Sequence, residues 1–164
     1  LMNEFNSDRV LLQERMINAF ETLKNFDQVD KNKTGAIGFC FGGKCALDLA
    51  RSGEDIKGVV SFHGLYDAPT ASTGKQLKGT LKIDSSILIL HGYDDPMATP
   101  KSMIELADEL NSKKAKWQIH AYGNVGHAFT NPEANQRESG LFYDQYADEH
   151  SWNEMKNFFS KLFS

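Results

Sequence analysis

Thr34-Gly35-Ala36-Ile37-Gly38-Phe39-Cys40-Phe41-Gly42-Gly43 is a short apolar run bounded by glycines, and a helical pattern reaching about Ser52 follows it. A run with no polar alternation is what a parallel strand buried on both faces requires. Residues 38–43 read GxCxGG, the nucleophile-elbow pattern with Cys40 in the position usually held by Ser. The turn is sharp enough that the positions two before and two after Cys40 must lack bulk, a need Gly38 and Gly42 are expected to meet. Unpaired N–H groups and the helix dipole at that terminus favour a thiolate over a thiol. The backbone N–H of Phe41 is expected to point at the same space and donate to an oxyanion. Gly38 to Cys45 also fits the GxxxxGK part of a phosphate-binding P-loop, so nucleotide binding is an alternative. Against it, Cys45 stands where a Mg²⁺-binding Ser or Thr belongs, and Phe39 and Phe41 crowd the loop.

Outward from this stretch, helices alternate with buried strands. Leu12, Met16, Ala19, Phe20 and Leu23 recur at helical spacing, predicting a helix over 7–25 capped by Ser7. Strands are expected at 34–40, 57–63, 85–91 and 117–122, with a Pro/Thr/Ser/Gly loop over 68–79. Thr99 and Pro100 open a helix with Met103, Ile104, Ala107 and Leu110 on one face. Ser151 and Glu154 form a capping box ahead of Trp152, Met155, Phe159 and Leu162, an amphipathic closing helix. The expected fold class is α/β, a mostly parallel sheet with helices on both faces, in one domain over residues 1–164. Ligands of such sheets bind beyond the carboxyl ends of the strands.

Two more loops at those ends carry polar chemistry. His91-Gly92-Tyr93-Asp94-Asp95-Pro96 offers two adjacent carboxylates, of which one can face a site because successive extended residues point oppositely. Gly123-Asn124-Val125-Gly126-His127 puts a histidine in the turn after the last strand. Nucleophile at 40, acid at 94 or 95 and His at 127 follow the Ser, Asp, His chain order of α/β-hydrolases.

The 164 residues carry 18 Lys+Arg against 22 Asp+Glu, a formal charge of −4, which leaves no broad basic surface for nucleic acid or anionic membrane. Two cysteines are too few for a disulfide scaffold, and no long apolar run or leader pattern is present, so the cytoplasm is the expected location. Cys45 reads as a small core residue. His63, His91, His120 and His150 have no zinc-like spacing, and neither a metal nor a cofactor is expected.

The chain resembles the dienelactone hydrolase family, the Cys-nucleophile branch of the α/β-hydrolases. The resemblance rests on GFCFGGKCALDLARSG (38–53), VVSFHGLYD (59–67), ILILHGYDDP (87–96), YGNVGHAFTNPEAN (122–135) and the YDQYADEHSW tail. It implies an α/β-hydrolase fold and cleavage of small esters or lactones, with Cys40 as nucleophile, His127 as general base and then acid, and Asp95 rather than Asp94 as the acid. From their own position, at the end of a strand that faces the same crevice, His63 and Tyr66 are expected either to line the pocket or to serve packing. Asn131 stands where the hydrolase that names the family has a substrate-binding Arg. The family also has strands ahead of the nucleophile strand, so a chain opening on one helix before Thr34 is expected to be the carboxyl-terminal part of a longer enzyme. A domain that keeps this fold and binds without turnover is the other expectation, and the sequence does not give the oligomeric state.

Overall fold

The computed structural model describes residues 2–70, 76–79 and 82–164. Part of the loop expected over 68–79 therefore lies outside the described residues. Two helices open the chain, α1 (Met2–Ser7) and α2 (Arg9–Lys24), and the order continues β1 (Gly35–Phe39), α3 (Phe41–Arg51), β2 (Gly58–Phe62), β3 (Ser86–Gly92), α4 (Pro100–Ser112) and β4 (Lys116–Tyr122). A two-stranded ribbon, β5 (Asn135–Gln136) and β6 (Leu141–Phe142), precedes α5 (Gln145–Leu162).

The four long strands pair in parallel in the order β1-β2-β3-β4, with Gly38 opposite Ser61 and Ser61 opposite Ile89. Side chains alternate between the two faces. Val59, Ile87 and Ile89 pack with Ala46, Leu47, Leu106 and Leu110 on the side of α3 and α4, joined by Ile17 and Phe20 of α2. Val60, Phe62, Leu88 and Leu90 pack under Ala147 and Met155 of α5. Strands buried on both faces read as unbroken apolar runs, which is why the sequence announces β2 and β3 so clearly. Among the described residues no helix is long and apolar enough to cross a membrane.

Several expected boundaries move. Ser7 closes α1, its hydroxyl donating to the Glu4 carbonyl, and Asp8 caps α2 by accepting from Leu11 N–H. The closing helix starts two turns before the Ser151 box. Asp144 caps it by accepting from Ala147 N–H, and Ser151 is buried mid-helix with its hydroxyl on the Asp148 carbonyl. Both misreadings have one cause: Ser, Asp and Asn compete for the same capping role, and local spacing does not say which of them the chain turns at. On α4 the inward face is Leu106 and Leu110, with Ile104 58% exposed, and on α5 Trp152 is 45% exposed.

Candidate active site

Because the strands are parallel, all four carboxyl ends lie on one edge of the sheet, and each is followed by a polar residue: Cys40, His63, Asp95 and His127. Cys40 sits between β1 and α3 at φ 52°, a left-handed value that a non-glycine residue adopts only where its surroundings impose it. Its N–H donates to the Phe62 carbonyl and its carbonyl accepts from Gly43 N–H.

The steric demand on the elbow differs from the expected one. A Cβ on Gly38 would stand 2.0 Å from the Gly42 carbonyl oxygen, so Gly38 must be bare. A Cβ on Gly42 would meet nothing within 4 Å. The second crowded position is Gly43, where a Cβ would lie 2.4 Å from Ser61 Oγ and 2.9 Å from Gly64 Cα.

His127 reaches Cys40 from the far edge of the sheet. The segment after β4 folds back because β5 and β6 hold it: His127 N–H donates to the Gly140 carbonyl at 2.7 Å, and Phe142 N–H donates to the His127 carbonyl at 3.1 Å. Chain packing there is close, with Gly140 at φ 73° and the Gly140 oxygen 2.2 Å from where a Gly126 Cβ would stand. The result is a contiguous set. His127 Nδ1–H donates to Asp95 Oδ2 at 2.7 Å, and its Nε2 lies 3.0 Å from Cys40 Sγ. Asp95 is 2% exposed, and its other oxygen accepts from the N–H groups of Met97 and Ala98. Asp94 is exposed and takes no part.

Electrostatics follow the geometry. The hydrogen bond from His127 holds the Cys40 thiol below its ordinary value against the opposing effect of burial, and the Phe41 N–H, which faces the sulfur, adds to this. For His127, burial disfavours the charged ring, but the bonds to Asp95 and Cys40 prevail and raise it to about 9. The two shifts share a source, the contact between Cys40 and His127, which favours the charged form of each. Cys45, one turn and a half further along α3, is pushed up to about 11 by burial and by Asp48.

The remaining expected site residues divide. His63 is buried beside His127, its ring edge-on with centroids 5.0 Å apart. Tyr66 points elsewhere: its hydroxyl bonds His91 Nδ1 at 2.9 Å, and it lines a cavity of about 240 Å³ with Asp67, Met97, Ser102 and Glu109. Asn131 is exposed, and its Oδ1 accepts from Glu133 N–H in a local turn rather than facing Cys40. The P-loop alternative fails because Lys44 is buried, paired with Asp67 and bonded to Asn6, and so is not free to hold phosphate.

Sequence reasoning missed the ribbon that seats His127 and the polar residues behind the site, Thr130 and Ser61. Gly126 and Gly140 were the available signal, since glycine flanking a loop histidine marks a close backbone crossing.

Comparison with known proteins shows the family and the fold. The dienelactone hydrolase family profile matches residues 1–163. The chain belongs to the dienelactone hydrolase family. A Caenorhabditis elegans protein described as uncharacterised is 36% identical over 155 residues, covering 93% of this chain and 95% of that protein. A Bradyrhizobium protein named "Probable 2-oxo-3-(5-oxofuran-2-ylidene)propanoate lactonase" is 28% identical over 114 residues. The chain spans 46% of that lactonase's length. Among solved structures, the dienelactone hydrolase-like promiscuous phosphotriesterase P91 from metagenomic libraries superposes with a TM-score of 0.84 at 37% identity, covering 98% of this chain and 65% of P91. The α/β-hydrolase neighbours below 25% identity, such as MGS-M1 from a deep-sea metagenome at TM-score 0.63, share the fold.

Proposed function

We propose that this dienelactone hydrolase family member cleaves small ester or lactone bonds with Cys40 as nucleophile. The observation that carries the reading is the unbroken Asp95–His127–Cys40 line, with separations of 2.7 and 3.0 Å.

The Cys40 thiolate adds to the carbonyl carbon, forming the S–C bond and moving the carbonyl electron pair onto oxygen. Phe41 N–H donates to that oxyanion. As the carbonyl reforms, the C–O bond to the alkoxide breaks, and His127 gives its Nε2 proton to the leaving oxygen. The product of this half is a thioester on Cys40. His127, now neutral, takes a proton from water, whose oxygen attacks the thioester carbonyl. The second tetrahedral intermediate collapses, returning the sulfur as thiolate beside imidazolium and releasing the acid. Asp95 keeps Nδ1 protonated and aligned throughout, and its two backbone donors keep it from rotating away. These steps use no cofactor. The proposed location is the cytoplasm, where reducing conditions keep a thiol such as Cys40 free.

A second reading, binding without turnover, has one observation in its favour: β1, at one edge of the four-stranded sheet, leaves Ile37 46% and Phe39 40% exposed. One experiment separates the two. Full-length protein and its Cys40→Ala variant are assayed on p-nitrophenyl esters, a set of small lactones and a phosphotriester, the last because P91 is described as a phosphotriesterase. The expected result is turnover of at least one ester or lactone by the native protein and none by the variant. Equal turnover by both, or none by either, sinks the hydrolase reading.

A further inference from the structure

We propose that His63 is a positioning residue for His127, clamping the loop that carries it to the end of β2 through Thr130. The inference rests on the thiol-hydrolase reading above and adds to it a residue outside the triad.

His63 follows β2 directly and sits at φ 36°, a conformation that histidine rarely adopts. Its N–H is tied to the Leu90 carbonyl at 2.8 Å, so the backbone cannot relax without breaking a bond at the end of β3. The strained turn aims the ring at the His127 loop, where it makes two contacts. Nε2 lies 2.8 Å from Thr130 Oγ1, three residues beyond His127, and the ring meets His127 edge-on, its centroid 5.0 Å away at 68°. Phe129, between them in sequence, meets the same ring edge-on at 5.1 Å. Residues 127, 129 and 130 therefore all bear on one side chain that belongs to a different strand end.

The arrangement supplies what the triad lacks. Asp95 fixes one nitrogen of His127 and the ribbon fixes its backbone, but neither stops the ring from swinging about the Asp95 bond. A rigid ring packed on its side does. The clamp must be uncharged, because a cation there would oppose the imidazolium. His63 meets that condition: burial and the neighbouring His127 charge push it down to about 4. Of the groups packed around it, His127 and Asp95 are the ionisable ones, Cys40 being reached through His127, while Phe39, Phe129 and Thr130 carry no charge. Among the described residues its buried Nδ1 has no hydrogen-bond partner. An orphaned donor is rarer than an under-used acceptor, so the proton resides on Nε2, which donates to Thr130.

The test is the pH dependence of Cys40 alkylation by iodoacetamide, with substitutions placed at either end of the bond. Thr130→Val keeps the shape and removes the acceptor, leaving the strained backbone at 63 untouched. Thr130→Ser keeps the acceptor. His63→Phe removes the donor and keeps a ring. Thr130→Val and His63→Phe are expected to slow alkylation at pH 7 by about fivefold, the worth of one neutral hydrogen bond, and to move the thiol midpoint upward. Thr130→Ser should stay near the native profile, whereas in Thr130→Val and His63→Phe ester turnover should lose kcat with KM little changed. If His63→Phe does not fold, Thr130→Val decides alone. A native profile in Thr130→Val, or an equal loss in Thr130→Ser, overturns the proposal. The underlying triad reading fails differently: alkylation of native Cys40 would then be indifferent to His127→Ala.

Discussion

At the amino-terminal end of α3, Cys40 has one side-chain hydrogen-bond partner among the described residues, His127, and is half-buried. Eight residues along the same helix, Asp48 is fully buried and accepts from Arg9 Nε and Nη2 and from Arg51 Nη1. Arg51 goes on to Glu109 and the Tyr66 carbonyl, while Arg9 and Lys44 share Asp67. Three cations and three anions from α2, α3, α4 and the loop after β2 thus neutralise each other. One end of the helix holds a half-buried thiol met by a single imidazole, and the other holds a network in which each charge is met. Reactivity and rigidity come from the same ingredients, and the number of partners per charge decides which one results.

The largest effect separating the two ends concerns turnover and stability together. Cys40→Ala should reduce ester turnover by about 10⁴-fold or more, while its urea midpoint hardly changes, because a half-buried thiol becomes a methyl group. Asp48→Asn should do the reverse. It leaves two buried guanidinium groups without their shared carboxylate, a loss of about 3–5 kcal/mol in urea unfolding, while the folded fraction retains native Cys40 alkylation. An Asp48→Asn protein as stable as the native one would show the network to be dispensable.

Cys40, which precedes α3, and Cys45, within it, refine the contrast. At pH 7 a Cys45 thiol at about 11 is ionised to roughly one part in ten thousand, whereas the bond to His127 lowers Cys40 below the ordinary thiol value. Brief iodoacetamide treatment at pH 7 should give a single adduct, located at Cys40 by mass spectrometry, with Cys45 modified only at strongly alkaline pH. The sign of the turnover profile follows. Activity rises with pH through the lowered Cys40 midpoint as the thiolate forms, then falls as pH passes about 9, where His127 loses the proton it must give to the leaving group. A profile still climbing above pH 10 would mean that His127 is not the acid.

How much of this was legible beforehand depended on whether the signal was local. VVSF and SILIL announce strands because burial on both faces leaves them almost wholly apolar, whereas TGAIGFC reads the same way yet forms an outer strand with Ile37 and Phe39 exposed, and GxCxGG places Cys40 at a strand-helix turn by itself. Asp95 over Asp94 needed the family resemblance, and the structure shows why they differ: one faces His127 and the other solvent. The Arg9–Asp48–Arg51 network was invisible because each member looks like an ordinary charge on a helix, and only the packing of α2 on α3 buries it. Tyr66 belongs to the strand-end stretch VVSFHGLYD yet turns to His91, and nothing in its spacing gives that direction. His63 was read as pocket lining, but the bond to Thr130, 67 residues away, is a tertiary fact.

The smallest effect tests the elbow itself. Gly38 and Gly43 are bare because a Cβ at either position would run into backbone or Ser61, whereas Gly42 faces open space on the first turn of α3. Gly within a helix costs up to about 1 kcal/mol relative to Ala, chiefly through the extra freedom it surrenders on folding. If the glycine at 42 serves only the family pattern and not this geometry, Gly42→Ala should raise stability by about 0.5–1 kcal/mol and leave Cys40 alkylation at its native rate. A slowed thiol with unchanged stability would point instead to substrate or reagent passing over Gly42, since a methyl group there can obstruct only what approaches from the solvent side of the elbow.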